Sequence, residues 1–255
     1  MTQLAAQMYT LREYCKDTQG LIDSLTRVRR MGYEAVQLSG HGPVDNRLVK
    51  EKLDELGLTV AATHTNFERM QEHLDEVIAE NQLFGCAYPG VGSMPAKYSQ
   101  AGAQGVKQFA REATQIAQRM AEAGLQLIYH NHNFEFARCG QDTLMDILLA
   151  ESGEALHFEL DTYWVQAGGA DPIAWIRKVA PRMKVVHFKD MVYSPEQKAP
   201  IMAEIGEGNL NWPGIIQACA DTGVRWHIVE QDVCQRCPFE SLKISLDNLH
   251  KLGLS

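Results

Sequence analysis

The chain has 255 residues, 45% hydrophobic and 22% charged, with a formal net charge of -8. That composition supplies a large apolar core, and the scattered Lys and Arg leave no electrostatic footprint for nucleic acid or an anionic membrane. No apolar run approaches the ~18 residues needed to span a bilayer, Met1 to Leu11 lacks the regions of a signal peptide, and six dispersed cysteines fit a reduced, cytoplasmic setting.

Eight times a short apolar run is followed by an amphipathic segment. Leu4–Thr10 reads as the first strand and Leu21–Met31 as its helix. Tyr33–Ser39 is the second strand, and Asp45–Leu56 its helix, closed by Gly57. Leu58–Thr65 is followed by a helix over Phe67–Leu83. Cys86–Val91, interrupted by Pro89 and Gly90, is the weakest strand and precedes the longest helix, Ala101–Ala123. In the second half, strands Gln126–His132, Leu156–Val165, Lys184–Lys189 and Trp226–Gln231 alternate with helices Asp142–Ala150, Pro172–Val179, Trp212–Ala220 and Phe239–Leu252. Asp171 and Pro172 are a helix N-cap and first-turn pair.

Eight such units in ~250 residues predict a single-domain α/β fold over residues 1–255, a (β/α)8 TIM barrel. A doubly wound open sheet would need a Gly-rich first turn, and Leu11-Arg12-Glu13-Tyr14 stands there instead. Cys234-Gln-Arg-Cys237 has C-x-x-C spacing but no second cysteine pair to complete a zinc site.

Candidate chemistry gathers at the strand ends, where barrel enzymes present it. The fifth strand runs into His130, His132 and then Glu135; the sixth carries Glu159 and Asp161; the seventh ends in His187 and Lys189; the eighth in Glu230. Each alone has a plainer reading: Asp161 as a helix N-cap, His187 as a core histidine, Glu230 as a buried ion-pair partner. Recurrence on consecutive strands at one end favours a metal site. Carboxylates with imidazole suit Mn2+, Mg2+, Co2+ or Zn2+.

Tyr129-His-Asn-His-Asn-Phe-Glu-Phe136, Leu160-Asp-Thr-Tyr-Trp-Val165, Gly168-Gly-Ala-Asp-Pro172, His187-Phe-Lys-Asp190, Gly206-Glu-Gly208 and Val229-Glu-Gln-Asp232 resemble the sugar phosphate isomerase/epimerase family. This is the xylose-isomerase-like barrel superfamily, which includes ketose 3-epimerases, inosose dehydratases and 3-dehydroshikimate dehydratases. The resemblance implies one divalent metal, Mn2+ first, held by two Glu, one Asp and one His.

Carried over, Asp161, His187 and Glu230 are the implied ligands. Where the family has a glutamate on the fifth strand, this chain has His130. Glu135 is expected as the fourth ligand because it restores the carboxylate count, with His130 as the alternative. The implied chemistry is proton abstraction next to a carbonyl, through a metal-stabilised enediolate. His132 is the expected base, with a pKa near working pH; Glu230 is a metal-bound acid–base group, and Lys189 neutralises developing charge.

His64, His130, Trp164 and Glu207 are expected to bind substrate, and Tyr9 to line the pocket. Glu159, on the inward face with Asp161, is expected one layer deeper. The expected activity is that of a sugar isomerase or epimerase; a lyase acting by β-elimination on a keto-sugar, 3-keto-glycoside or inosose uses the same parts. Apurinic endonucleases share the barrel but need several zinc ions and a DNA-binding surface, and a non-catalytic sugar-binding barrel would not need the ligand set. The implied partner is an unphosphorylated sugar or keto-sugar, with a homo-oligomer as a further expectation.

Overall fold

The computed structural model describes residues 3–254. Eight strands close a barrel: β1 (Gln3–Gln7), β2 (Ala35–Leu38), β3 (Thr59–His64), β4 (Pro89–Val91), β5 (Ile128–His130), β6 (His157–Asp161), β7 (Met183–Phe188) and β8 (Trp226–Val229). Neighbours follow chain order, and β8 returns to β1. The pairs are parallel, as helical crossovers require. This is the (β/α)8 barrel that the sequence predicts.

Period-two alternation sorts the side chains. Leu4, Val36, Val60, Tyr129, Phe158, Leu160, Val186, Phe188 and Val229 pack outward into the large core shared with the helices. Their neighbours of opposite parity, Ala5, Ala35, Ile128, Val185, Trp226 and Ile228, form a second apolar cluster inside the barrel. Each large apolar side chain buried this way contributes about 1.5–3 kcal/mol of transfer free energy. Continuing two residues at a time toward the C-terminal end, the inward positions turn polar: Ala35 leads to Gln37, Ile128 to His130, Val185 to His187 and Lys189, and Ile228 to Glu230. An apolar floor thus supports a polar layer.

The local differences from the predicted elements have identifiable causes. β6 stops at Asp161 because its carboxylate caps the next helix, Thr162–Ala167, at Trp164 N, which turns the chain before Val165. β1 is likewise cut short, by a 3-10 helix over Met8–Tyr14. The single helix expected over Phe67–Leu83 is two, Phe67–Glu72 and Leu74–Phe84, separated at His73 in a non-helical conformation. β4 is only Pro89–Val91, and its glycines accommodate a neighbour: a Cβ at Gly90 or Gly92 would come within 2.8 or 2.9 Å of the His64 ring.

Two hairpins absent from the predicted elements follow β5 and β7 in the chain, Arg138–Cys139 with Asp142–Thr143 and Asp190–Ser194 with Ala199–Ala203. Among the described residues, no helix is long and apolar enough to cross a membrane.

Candidate active site

Above the apolar floor, Gln37, His64, Glu159 and His187 interlock. Glu159, fully buried, meets His64 Nε2 at 2.5 Å through one oxygen and His187 Nε2 at 3.1 Å through the other. Gln37 Oε1 lies 2.6 Å from the same His187 Nε2, and Gln37 Nε2 donates to Glu159 at 3.3 Å. Gln37 Oε1 accepts at His187 Nε2, so this ring nitrogen carries a hydrogen. The opposite nitrogen, Nδ1, then faces upward, 2.9 Å from Glu230 Oε2 and 3.8 Å from Asp161 Oδ2. A carboxylate or amide oxygen behind a histidine in this way fixes the tautomer that a metal ligand needs.

His130 repeats the arrangement. Its Nδ1 lies 3.0 Å from the Gly92 carbonyl oxygen, which can only accept, so Nδ1 carries a hydrogen and Nε2 faces Asp161 Oδ2 at 3.3 Å. His130, Asp161, His187 and Glu230 are all buried, and one ligand atom from each lies within 4.8 Å of all the others. Two imidazoles and two carboxylates aimed at one point are a donor set that fits a divalent ion. Asp161 answers both of its sequence readings, one oxygen apiece: Oδ1 caps Trp164 N and Oδ2 faces the cluster.

Glu135 is not in this set. Its carboxylate accepts from the Tyr129 hydroxyl at 2.5 Å and from His132 N at 2.9 Å. The five-residue step from His130 carries it through a 3-10 turn, Phe134–Phe136, that buries it against the outward-facing Tyr129. The structure therefore brings His130, and not Glu135, together with Asp161, His187 and Glu230. Burial raises the Glu135 pKa to about 7.

Glu135→Gln keeps both hydrogen bonds, because the Tyr129 hydroxyl can accept from the new amide. Divalent-ion affinity is expected to stay within about threefold, whereas His130→Ala lowers it about tenfold or more; titration calorimetry reads both. The raised pKa favours folding below the ordinary carboxylate range, and that contribution is lost as pH rises from about 4.5 to about 7. Glu135→Gln should flatten the stability profile there.

Lys189 is fully buried, not an exposed lysine. Its Nζ lies 2.9 Å from Asp161 Oδ2, 2.7 Å from Glu230 Oε2 and 3.0 Å from Asp232 Oδ2, under the face of Trp164 at 5.4 Å. Burial pulls the ammonium down, but the three carboxylates together outweigh it and hold its pKa well above the usual lysine value. Burial raises Asp161 and Glu230, yet Lys189 and the imidazoles leave both below the usual carboxylate range. His187, penalised by burial, is raised by Glu159 and Glu230.

A cavity of about 700 Å³ opens over this cluster. Tyr9, His64, His130, His132, Trp164, Lys189 and Glu230 are among its lining residues. His132 lies 5.3 Å, ring to ring, from Trp164, and its Nδ1 and Trp164 Nε1 are buried without a protein partner. The expectation of a base with a pKa near working pH is corrected: burial, with His130 and Lys189 nearby, lowers His132 to about 3. The ring is neutral and weakly basic.

Glu207 is the expected substrate residue that the structure places elsewhere. It is exposed, pairs with Arg236 at 3.3 Å and does not line the cavity. The Gly-Glu-Gly motif instead serves Asp190, whose buried carboxylate accepts from Gly206 N, Gly208 N, Leu210 N and Trp212 Nε1. A Cβ at Gly208 would fall 2.3 Å from Asp190 Oδ1, so this close approach demands glycine. Gln37 and Asp232 had no assigned role in the sequence, although parity with Ala35 and with Glu230 places both on the inward face.

The comparisons agree with this fold. The family model for the xylose isomerase-like TIM barrel matches residues 25–243. The rhizopine catabolism protein MocC of Rhizobium meliloti is 25% identical over 264 residues, covering 90% of this chain and 80% of that protein. A sugar phosphate isomerase/epimerase from Parabacteroides distasonis superposes with a TM-score of 0.82 at 24% identity, covering 98% of each chain. The probable 3-DHS dehydratase of petrobactin synthesis from Bacillus anthracis superposes over nearly the whole of each chain, with a TM-score of 0.74 at 16% identity.

Proposed function

The chain belongs to the xylose isomerase-like TIM barrel family, and on that premise we propose that it is a divalent-metal-dependent sugar isomerase or epimerase working by proton transfer next to a carbonyl. The carrying observation is the convergence of His130, Asp161, His187 and Glu230 beneath the cavity that His132 and Trp164 line. These four side chains would hold the ion, which would supply Lewis acidity at a substrate carbonyl.

The chain's own groups do the rest. Neutral His132 presents a ring nitrogen to the cavity and takes the carbon-bound proton. Lys189 places its ammonium against the oxygen where negative charge develops, and Glu230 borders the same cavity as the second acid–base group. Tyr9 and Trp164 provide ring faces, and His64 is held by Glu159 at the cavity wall. The lining includes Glu68, Glu230 and Asp232, while Lys189 is already shared among three carboxylates. That balance favours an unphosphorylated sugar or keto-sugar.

A lyase is the second reading, and the Glu135 geometry favours it: with that carboxylate turned to Tyr129, the cluster holds a single glutamate and lacks a symmetric two-glutamate pair. Metal analysis with solvent-deuterium incorporation into ketoses and 3-keto-glycosides tests both, with Asp161→Ala as control. One bound divalent ion and exchange lost in the variant are expected, and the product separates epimerase from lyase. No metal and no exchange would overturn the enzyme reading, and three zinc ions per chain would redirect it to endonuclease chemistry.

A further inference from the structure

Lys189 raises a question that the four-ligand set leaves open. Its ammonium holds Asp161 Oδ2 and Glu230 Oε2, the same oxygens that face the ring nitrogens of His130 and His187. A divalent ion drawn to that point meets a fixed cation on two of its donors, in a buried setting where like charges repel strongly. The third partner of the ammonium is different. Asp232 Oδ2 accepts from it at 3.0 Å, and Asp232 is partly exposed at the cavity wall and is not in the four-residue set. Lys189 can therefore release the two inner oxygens while keeping a charged partner.

We propose that Lys189 and Asp232 form a resident counter-cation: Lys189 competes with the divalent ion for Asp161 and Glu230, and Asp232 sets how readily it yields. This rests on the four-residue set being the metal site. It makes Asp232 a positioning residue that acts on the ion through Lys189. It also assigns a role to a fully buried lysine: without the ion, Lys189 neutralises the converging carboxylates, and with the ion it moves its charge toward the cavity.

The test is a double-mutant cycle on Mn2+ and Co2+ affinity, measured by titration calorimetry on the full chain. Lys189→Met is expected to tighten binding about tenfold or more, and Asp232→Asn to weaken it about tenfold; in the Lys189→Met background the Asp232→Asn cost should shrink to about twofold or less. Asp232→Glu should restore most of the wild-type affinity.

If Lys189→Met fails to fold, the Co2+ absorption spectrum of Asp232→Asn decides. Weakened binding with unchanged bands supports the inference, and bands showing a lost oxygen donor make Asp232 a ligand and overturn it. Equal Asp232→Asn costs in both backgrounds, or no tightening by Lys189→Met, would overturn the inference while leaving the metal site intact. Absence of binding in wild type and in every variant would overturn the metal site itself, and the inference with it.

Discussion

Asp161→Asn is expected to lower divalent-ion affinity at least ~100-fold and to remove sugar turnover, while the Thr162–Ala167 helix stays in place. The two oxygens of Asp161 have separable tasks. Oδ1 accepts from Trp164 N at 2.9 Å, and an asparagine carbonyl does the same. Oδ2 faces His130 Nε2 at 3.3 Å and Lys189 Nζ at 2.9 Å. The amide nitrogen would turn its hydrogens toward the Lys189 ammonium, a donor that cannot accept them. Removing one partner of a buried charge pair costs about 3–5 kcal/mol, so chemical denaturation should show a loss of that order for the metal-free protein. Titration calorimetry reads the affinity. An unchanged affinity would sink the proposed ligand set, and loss of the helix, seen by amide exchange at Trp164, would mean that the cap was the main role.

Glu159→Gln is expected to have the next largest effect, although Glu159 is not in the four-residue set. Its carboxylate stands behind His187 Nε2 and also holds His64. Loss of a group that orients a metal-ligating histidine lowers metal affinity about 10–100-fold. The buried His187 also loses a counter-charge, which should cost the metal-free protein about 3 kcal/mol.

The pH dependence has a definite sign. Burial raises Glu159, but His187 and His64 leave it well below the usual carboxylate range. Its contribution to stability is therefore present above the ordinary carboxylate pKa of about 4 and is lost as pH falls through the depressed value. Asp161 and Glu230 act in the same direction. Wild-type protein should lose stability steeply below about pH 4, and Glu159→Gln should lose it less steeply, having already forfeited that share at neutral pH. Parallel acid limbs in denaturation curves would show that Glu159 carries no such charge.

The hairpin Asp190–Ala203 and the Gly206–Gly208 loop show how a motif can be visible while its purpose is not. Glu207, between its two glycines, was expected to bind substrate. Their backbone amides instead bind Asp190, a contact across 16 and 18 residues that local spacing cannot announce. His132 is similar: its place on the cavity wall follows from strand parity, whereas its depressed pKa comes from burial first, then from His130 and from Lys189, 57 positions away in sequence.

What the sequence by itself determined is the barrel and the strands that end in chemistry. Eight strand–helix alternations and period-two runs such as Val185, His187, Lys189 are local properties, written wherever one face of a strand meets an apolar lumen and then a polar mouth. Asp161, His187 and Glu230 were legible for that reason. Tertiary structure alone put His130 in the cluster and left Glu135 out, because that depends on which side of β5 the chain turns to after His132. His130 remains on the inward face, held by the Gly92 carbonyl across the barrel wall, while the 3-10 turn carries Glu135 outward to Tyr129. It alone also decided that Lys189 is a buried cation among three carboxylates. A lysine's long stem reaches either solvent or core, and only the closing of β6, β7 and β8 around one axis brings Asp161, Glu230 and Asp232 to meet it.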